Sequence, residues 1–238
     1  MSLTGTPSRL PNLSEFSCVL TDLHNSHLEI LSQIDCNLRN LDISLAADID
    51  ANTIDSLLKK HSRTLTNIKF FRDAEQPLTL FQLRSCVFKN LSSIDIQCNI
   101  VDSLNFLQYL PAIKTVNLTQ FGDSEVSFYN TIVRNSDPKL VFPSARNISY
   151  EYYLAPDSME RIIMMFPNLS QLSVYLIDET IRVVFRDAKN LNELVAFGTQ
   201  LTDEGITGVP KHLLERNYKF MKDYRKHPYI ADLKRKLI

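Results

Sequence analysis

The chain has 238 residues, 44% of them hydrophobic and 22% charged, with 26 basic against 27 acidic side chains and a formal net charge of −1. This is the composition of an ordinary globular protein with ample material for a core. Five Gly and no Trp leave little scope for Gly-rich phosphate loops, and no apolar run reaches the roughly 18 to 20 residues of a membrane span.

Residues 1–9 are a polar lead-in without the apolar centre of a secretory signal, so a cytoplasmic or nuclear location is expected. The four cysteines (Cys18, Cys36, Cys86, Cys98) form no CxxC and fit free thiols in a reducing compartment. Cys18, Asp22, His24, His27 and Cys36 stand close in sequence, but their spacings match no structural zinc pattern. No metal and no cofactor is expected.

From Leu13 onward the chain alternates two kinds of segment. A first strand carries Leu13, Phe16 and Cys18, and a helix is predicted over 25–34 from apolar residues at three- and four-residue spacing. Leu38, Leu41 and Ile43 form a second strand, followed by a helix over 52–61. Leu65, Ile68 and Phe70 form the third, with a helix over 78–88, and Leu91, Ile94 and Ile96 the fourth, with a helix over 101–110. Ile113, Val116 and Leu118 come next, and the Asp-Pro of "NSDPKLVFP" then predicts a longer loop. A weaker strand, Ala145, Ile148 and Tyr150, is followed by a helix over 156–166. Leu169, Leu172, Val174 and Leu191, Leu194, Ala196 complete the series. Asn52, Asp102 and Asp157 are plausible helix N-caps.

The first apolar positions of these strands are separated by 25, 27, 26, 22, 32, 24 and 22 residues. All but one lie within the roughly 20 to 29 residues of a leucine-rich repeat. A strand–helix unit of this size cannot bury its apolar side alone, so neighbours must stack. The expected fold is a curved, right-handed α/β horseshoe: a leucine-rich-repeat solenoid of about eight irregular repeats over residues 10–210. The asparagine slot three positions past the last apolar residue is filled only by Asn99. The N-x-S/T triplets at Asn12, Asn90, Asn117, Asn147 and Asn168 are by-products of a repeated Asn-Leu-Ser/Thr step, and no sugar is expected on them.

"KNLNELVAFGTQLTDEGITGVP", residues 189–210, is similar to the repeats of the cysteine-containing leucine-rich arrays of F-box proteins. Leu191, Leu194, Leu201, Thr202, Asp203, Glu204, Gly205 and Ile206 carry the likeness. The resemblance implies a receptor that holds a target on its solenoid while an F-box joins it to a cullin-type ubiquitin ligase. No F-box is visible in the chain, and most repeats lack the typical cysteine.

Alternate strand residues point away from the core. On that outward, concave face Tyr175, Val195 and Phe197 would make a small apolar platform on neighbouring strands, flanked by Glu151 and Glu193. Phe71 and Lys69 form a second, smaller group. The expectation is a protein partner on this face; the plainer reading is a solvated sheet face with incidental apolar residues.

Residues 211–238 carry nine basic and three acidic side chains, +6, while the other 210 carry 17 and 24, −7. This segment reads as a basic helical C-terminal cap, with a helix to about residue 226 and a break at His227–Pro228. Basic residues alone are only an electrostatic hint, so neither nucleic acid nor membrane is an expected partner. The five histidines have no Ser or Cys partner at a recognisable motif, so no enzyme is expected. The reading is thus a protein-interaction module resembling the substrate-recognition part of an F-box ubiquitin-ligase receptor. Its alternative is a scaffold or regulatory adaptor unrelated to ubiquitination, with the basic tail as a nucleic-acid contact.

Overall fold

The structure, a computed structural model, describes residues 10, 12–20, 25–45, 51–72, 86–98, 103–119, 132–197 and 219–220. It divides into two compact units, residues 1–114 with 120–122, and residues 115–119 with 123–238. The first contains strands β1 (Glu15–Leu20), β2 (Asn40–Leu45), β3 (Asn67–Arg72) and β4 (Ser93–Cys98), parallel and adjacent in chain order. Helices α1 (Asn25–Gln33) and α2 (Ala51–His61) connect the first three and pack on each other. The second unit contains β5 (Thr115–Thr119), β6 (Asn147–Tyr153), β7 (Gln171–Tyr175), β8 (Glu193–Phe197) and β9 (Lys219–Phe220), again parallel in chain order. Helices α3 (Pro156–Met165) and α4 (Asp178–Asp187) follow β6 and β7. Each unit is therefore an α/β layer repeat with a parallel sheet.

The apolar triplets supply the core. In β2 to β8 every second and third triplet member is at most 2% exposed, including Ile148 and Tyr150 of the weakest copy. Side-chain alternation along a strand sends these residues inward and their neighbours outward, as in the i-B-i-B-i burial of β5 and β7. On the helix side Met159, Ile162 and Met165 of α3 and Ile181 and Val184 of α4 are at most 1% exposed. Burying each such side chain is worth about 1.5–3 kcal/mol before entropy is counted.

A repeated turn converts helix into strand. Leu110-Pro111-Ala112-Ile113, Phe142-Pro143-Ser144-Ala145 and Phe166-Pro167-Asn168-Leu169 each close with the fourth amide donating to the first carbonyl, at 3.1, 3.3 and 3.0 Å. Proline suits the second position because its ring presets φ there. The fourth residue is the first member of the next apolar triplet, two residues before the strand, so the turn also sets where that triplet starts.

The strand then locks onto its predecessor through one carbonyl. Arg39 O accepts from Thr66 N, Asn67 N and Thr66 Oγ1 at 2.8, 3.0 and 3.1 Å. Thr66 O receives Ser92 N, Ser93 N and Ser92 Oγ in the same way, and Arg146 O receives Ser170 N, Gln171 N and Ser170 Oγ. Two residues before Ser92 and Ser170 stands an asparagine that reaches back as well, and Asn190, two before Asn192, does the same. Asn90 Nδ2 donates to Arg63 O at 2.6 Å, Asn168 Nδ2 to Pro143 O at 2.9 Å, and Asn190 Nδ2 to Pro167 O at 2.9 Å. The Asn-Leu-Ser/Thr step at Asn90 and Asn168 is therefore a clamp between successive layers, with Asn and hydroxyl both engaged.

Several local expectations are corrected. Residues Leu104–Tyr109 form a 3₁₀ helix capped by Ser103, not an α-helix. Leu104, Leu107 and Leu110, all buried, repeat every three residues, a row that a three-residue turn aligns on one side. Asn52 lies inside α2 and Asp157 inside the first turn of α3, which starts at Pro156 after Ala155; there the Asp157 charge favours the helix dipole. Asp102, Asn99 and most of the helix expected over 78–88 lie outside the described residues. Lys219 and Phe220, expected in a helix, instead extend the sheet beside β8; the rest of residues 211–238, and Leu201 to Ile206, lie outside the described residues. Among the described residues no helix is long and apolar enough to cross a membrane.

Two outcomes are expected. Asn168→Ala should cost about 0.5–1.5 kcal/mol in denaturant unfolding, by loss of one clamp bond. Asn192→Ala, at an exposed position, should stay within about 0.5 kcal/mol. Equal effects would argue against the clamp. The second outcome concerns His61, which is 2% exposed with no hydrogen-bond partner at Nε2. Burial, with Lys60 beside it, holds its imidazole below the ordinary value against the pull of the Leu31 carbonyl and Asp35. The unfolded chain then binds the proton more readily, so stability should be full above about pH 6.5 and fall as the pH drops below it. Melting curves at about pH 7.5 and pH 5 should show a smaller acid loss for His61→Leu than for wild type. Parallel losses in both proteins would exclude His61 as the group responsible.

Candidate partner-binding face

The strand register arranges the outward side chains in rows that cross each sheet. In the first unit one row runs Glu15, Asn40, Asn67, Ser93. Its carboxamides bond in sequence, Asn67 Nδ2 to Asn40 Oδ1 at 2.6 Å and Asn40 Nδ2 to Glu15 Oε1 at 2.8 Å. Glu15, Asn40 and Asn67, with Ser14, Asn37, Arg39 and Thr66, line a polar groove of about 520 Å³. The next row is Ser17, Asp42, Lys69, Asp95, so Lys69 stands between two carboxylates. Burial pushes the Asp95 carboxyl above the usual carboxylate range, and Asp42 adds to this. Gln97 Nε2, donating to both Asp95 oxygens at 3.2 and 3.3 Å, and Lys69 work in the opposite sense. The third row places Phe71, half-buried, between Ser44 and Gln97. Lys69 and Phe71 thus lie on one face of one strand, within a row system that is mainly polar.

The second unit is different. Gln171 is in register with Glu193, Ser173 with Val195, and Tyr175 with Phe197. The expected pairing of Tyr175 with Phe197 across neighbouring strands is therefore present in the backbone; the Phe197 side chain lies outside the described part. On the other side of Tyr175 the register shifts. Asn147 to Tyr150 pair with Gln171 to Val174, and the next pair is Tyr153 with Tyr175. Glu151 and Tyr152 are the bulge, so Glu151 does not stand opposite Tyr175, and its side chain too lies outside the described part. Tyr153 takes the position instead. The two tyrosine rings lie 5.3 Å apart at 59°, a tilted aromatic contact, and both are half-buried.

Val195 lies deeper than the outward position expected of it. It is only 8% exposed, and a further strand places Lys219 beside it, so it has neighbours on both sides of the sheet. It presents little surface. Glu193, half-buried, remains on the outward face in the row of Gln171.

Tyr153 is the residue that the sequence reading missed. The available signal is strand length: β6 has seven residues where its partners β5 and β7 have five, and the surplus is the bulge. Among the described residues no three His, Cys, Asp or Glu side chains gather as a metal site would require. Cys18 and Cys36 are free, and burial raises both thiols, that of Cys18 to about 11 with a further contribution from Asp42. Asp22 and His24 lie outside the described residues. In comparisons with known proteins, no family model matches the chain and no curated protein matches it significantly.

Proposed function

We propose that the chain is a leucine-rich-repeat solenoid of about eight irregular repeats that works as a non-enzymatic protein-interaction module. Its partner is a protein held on the outward strand face of the second unit. The observation that carries this reading is the Tyr153–Tyr175 ring pair, half-exposed on the outward side and in register with Phe197. The inward triplets already supply the core, and a pair of aromatic rings on the opposite face is not needed for it. Aromatic clusters of this kind concentrate binding energy where a partner excludes water. Glu193 beside the row favours a neutral or basic segment and adds salt-sensitive attraction. The similarity of residues 189–210 to the repeats of F-box receptors supports a role in choosing targets for a ubiquitin ligase. A scaffold or adaptor outside ubiquitination, in cytoplasm or nucleus, is the second reading, favoured by the missing cysteine pattern.

Affinity capture with mass spectrometry separates these readings. Tyr175→Ala combined with Phe197→Ala should weaken the main partner by roughly 2 kcal/mol or more while the chain stays folded, with stability lowered by about 0.5–1.5 kcal/mol through loss of the tyrosine ring contact. Ser93→Ala combined with Thr115→Ala, at polar outward positions, should change capture little. Ligase subunits among the captured proteins would favour the receptor role, and their absence the scaffold. Full affinity in the aromatic double variant would move the site to Phe71 and Lys69.

A further inference from the structure

Among the described residues β1 has a strand on one side only. Ser14 O faces β2, accepting Arg39 N at 2.8 Å and Asn40 N at 3.0 Å. Backbone groups alternate sides along a strand, so the N–H and C=O groups of Glu15, Ser17 and Val19 face the other edge. The inner side of this layer is also incompletely covered. Leu13, Phe16 and Cys18 are half-buried, and Leu10 is 46% exposed. The equivalent Leu38, Leu41 and Ile43 one layer on are 0%, 2% and 0% exposed. The strand sequence EFSCVL has one charge and neither the Lys nor the Pro that blunts a sheet edge against pairing.

We propose that β1 is a self-association edge, through which two copies join by antiparallel β1–β1 pairing about a two-fold axis at Ser17. The occupant follows from the strand's own complementarity. Directly opposed residues of an antiparallel pair point to the same face, so only registers that oppose residues of like parity keep inner with inner. Centring on Ser17 sets Glu15 against Val19, Ser17 against Ser17 and Phe16 against Cys18. All six edge groups then find partners, no charge meets its like, and Phe16 of each copy covers Cys18 of the other. Centring on Cys18 instead carries Glu15 past Leu20, the last residue of β1, so its N–H and C=O find no partner within the strand. That register also sets the two Cys18 thiols against each other and satisfies fewer edge groups, so it is disfavoured. An isologous edge of this kind closes as a dimer. The inference concerns the edge of the first unit and is independent of the partner site on the second.

Light scattering and sedimentation of the full chain at about 100 µM, above a micromolar Kd, should report a dimer. Ser17→Pro should be monomeric with a near-unchanged melting temperature, because the amide it removes faces the open edge and not β2. Ser17→Lys, which sets two ammonium groups across the axis, should weaken the dimer at least about tenfold and serves if the proline variant fails to fold. Ser17→Cys should give a covalent dimer on mild oxidation. The wild type, whose Cys18 is opposed by Phe16, should not. A monomeric wild type would overturn the proposal, as would a dimer that survives both Ser17→Pro and Ser17→Lys, or a Ser17→Cys variant that cross-links no better than wild type.

Discussion

One carbonyl per layer carries much of the order in this molecule. Ser14 O, Arg39 O, Thr66 O, Arg146 O and Ser170 O each accept two successive amides at the start of the next strand, at 2.8 to 3.1 Å. A single bond of this kind contributes about 0.5–1.5 kcal/mol net, so the ladder does not by itself hold the fold. Its effect is on register. A slip of one residue would send every inward triplet outward and expose residues that are now at most 2% accessible. Hydrophobic burial supplies the driving force, and the shared carbonyl, with the hydroxyl and asparagine that accompany it, selects one alignment out of those burial would tolerate.

That alignment produces the outward rows, and the two units use them differently. In the first, carboxamides bond to one another and Lys69 stands between Asp42 and Asp95, so polar groups largely satisfy their own neighbours. In the second, the bulge at Glu151 and Tyr152 advances Tyr153 into contact with Tyr175. The contrast is the basis for proposing the second unit as the partner-binding one: its outward side holds two tyrosine rings in contact, whereas the first unit's is mainly polar, with Lys69 in register between Asp42 and Asp95.

Much of the fold was legible because it rests on periodicity. The second and third members of the Leu-x-x-Leu-x-apolar triplets fall on the strands, and from Leu38 onward all three members are buried, even where Ala145, Ile148 and Tyr150 degrade the pattern. The asparagines of the clamp were visible too, but they stand before the first leucine, and nothing in a single sequence shows that a carboxamide reaches a carbonyl 23 to 27 residues earlier. The outward face was half legible. Tyr175 and Phe197 share a slot because β7 and β8 pair without interruption, which spacing predicts. Tyr153 was hidden because a bulge breaks the strict alternation on which outward assignments depend. The burial of Val195 was not legible, because the β9 strand that lies beside it has two residues and carries no recognisable pattern.

The central claim is that register, set at the start of each strand, decides which side chains share the outward surface. A double-mutant cycle on Tyr153→Ala and Tyr175→Ala, read by denaturant unfolding, tests it most directly. Rings in the observed contact should couple by about 0.5–1.5 kcal/mol, and Glu151→Ala should add independently to Tyr175→Ala. Additive tyrosine variants together with coupling between Glu151 and Tyr175 would mean that β6 runs without its bulge, and the outward surface described above would be wrong.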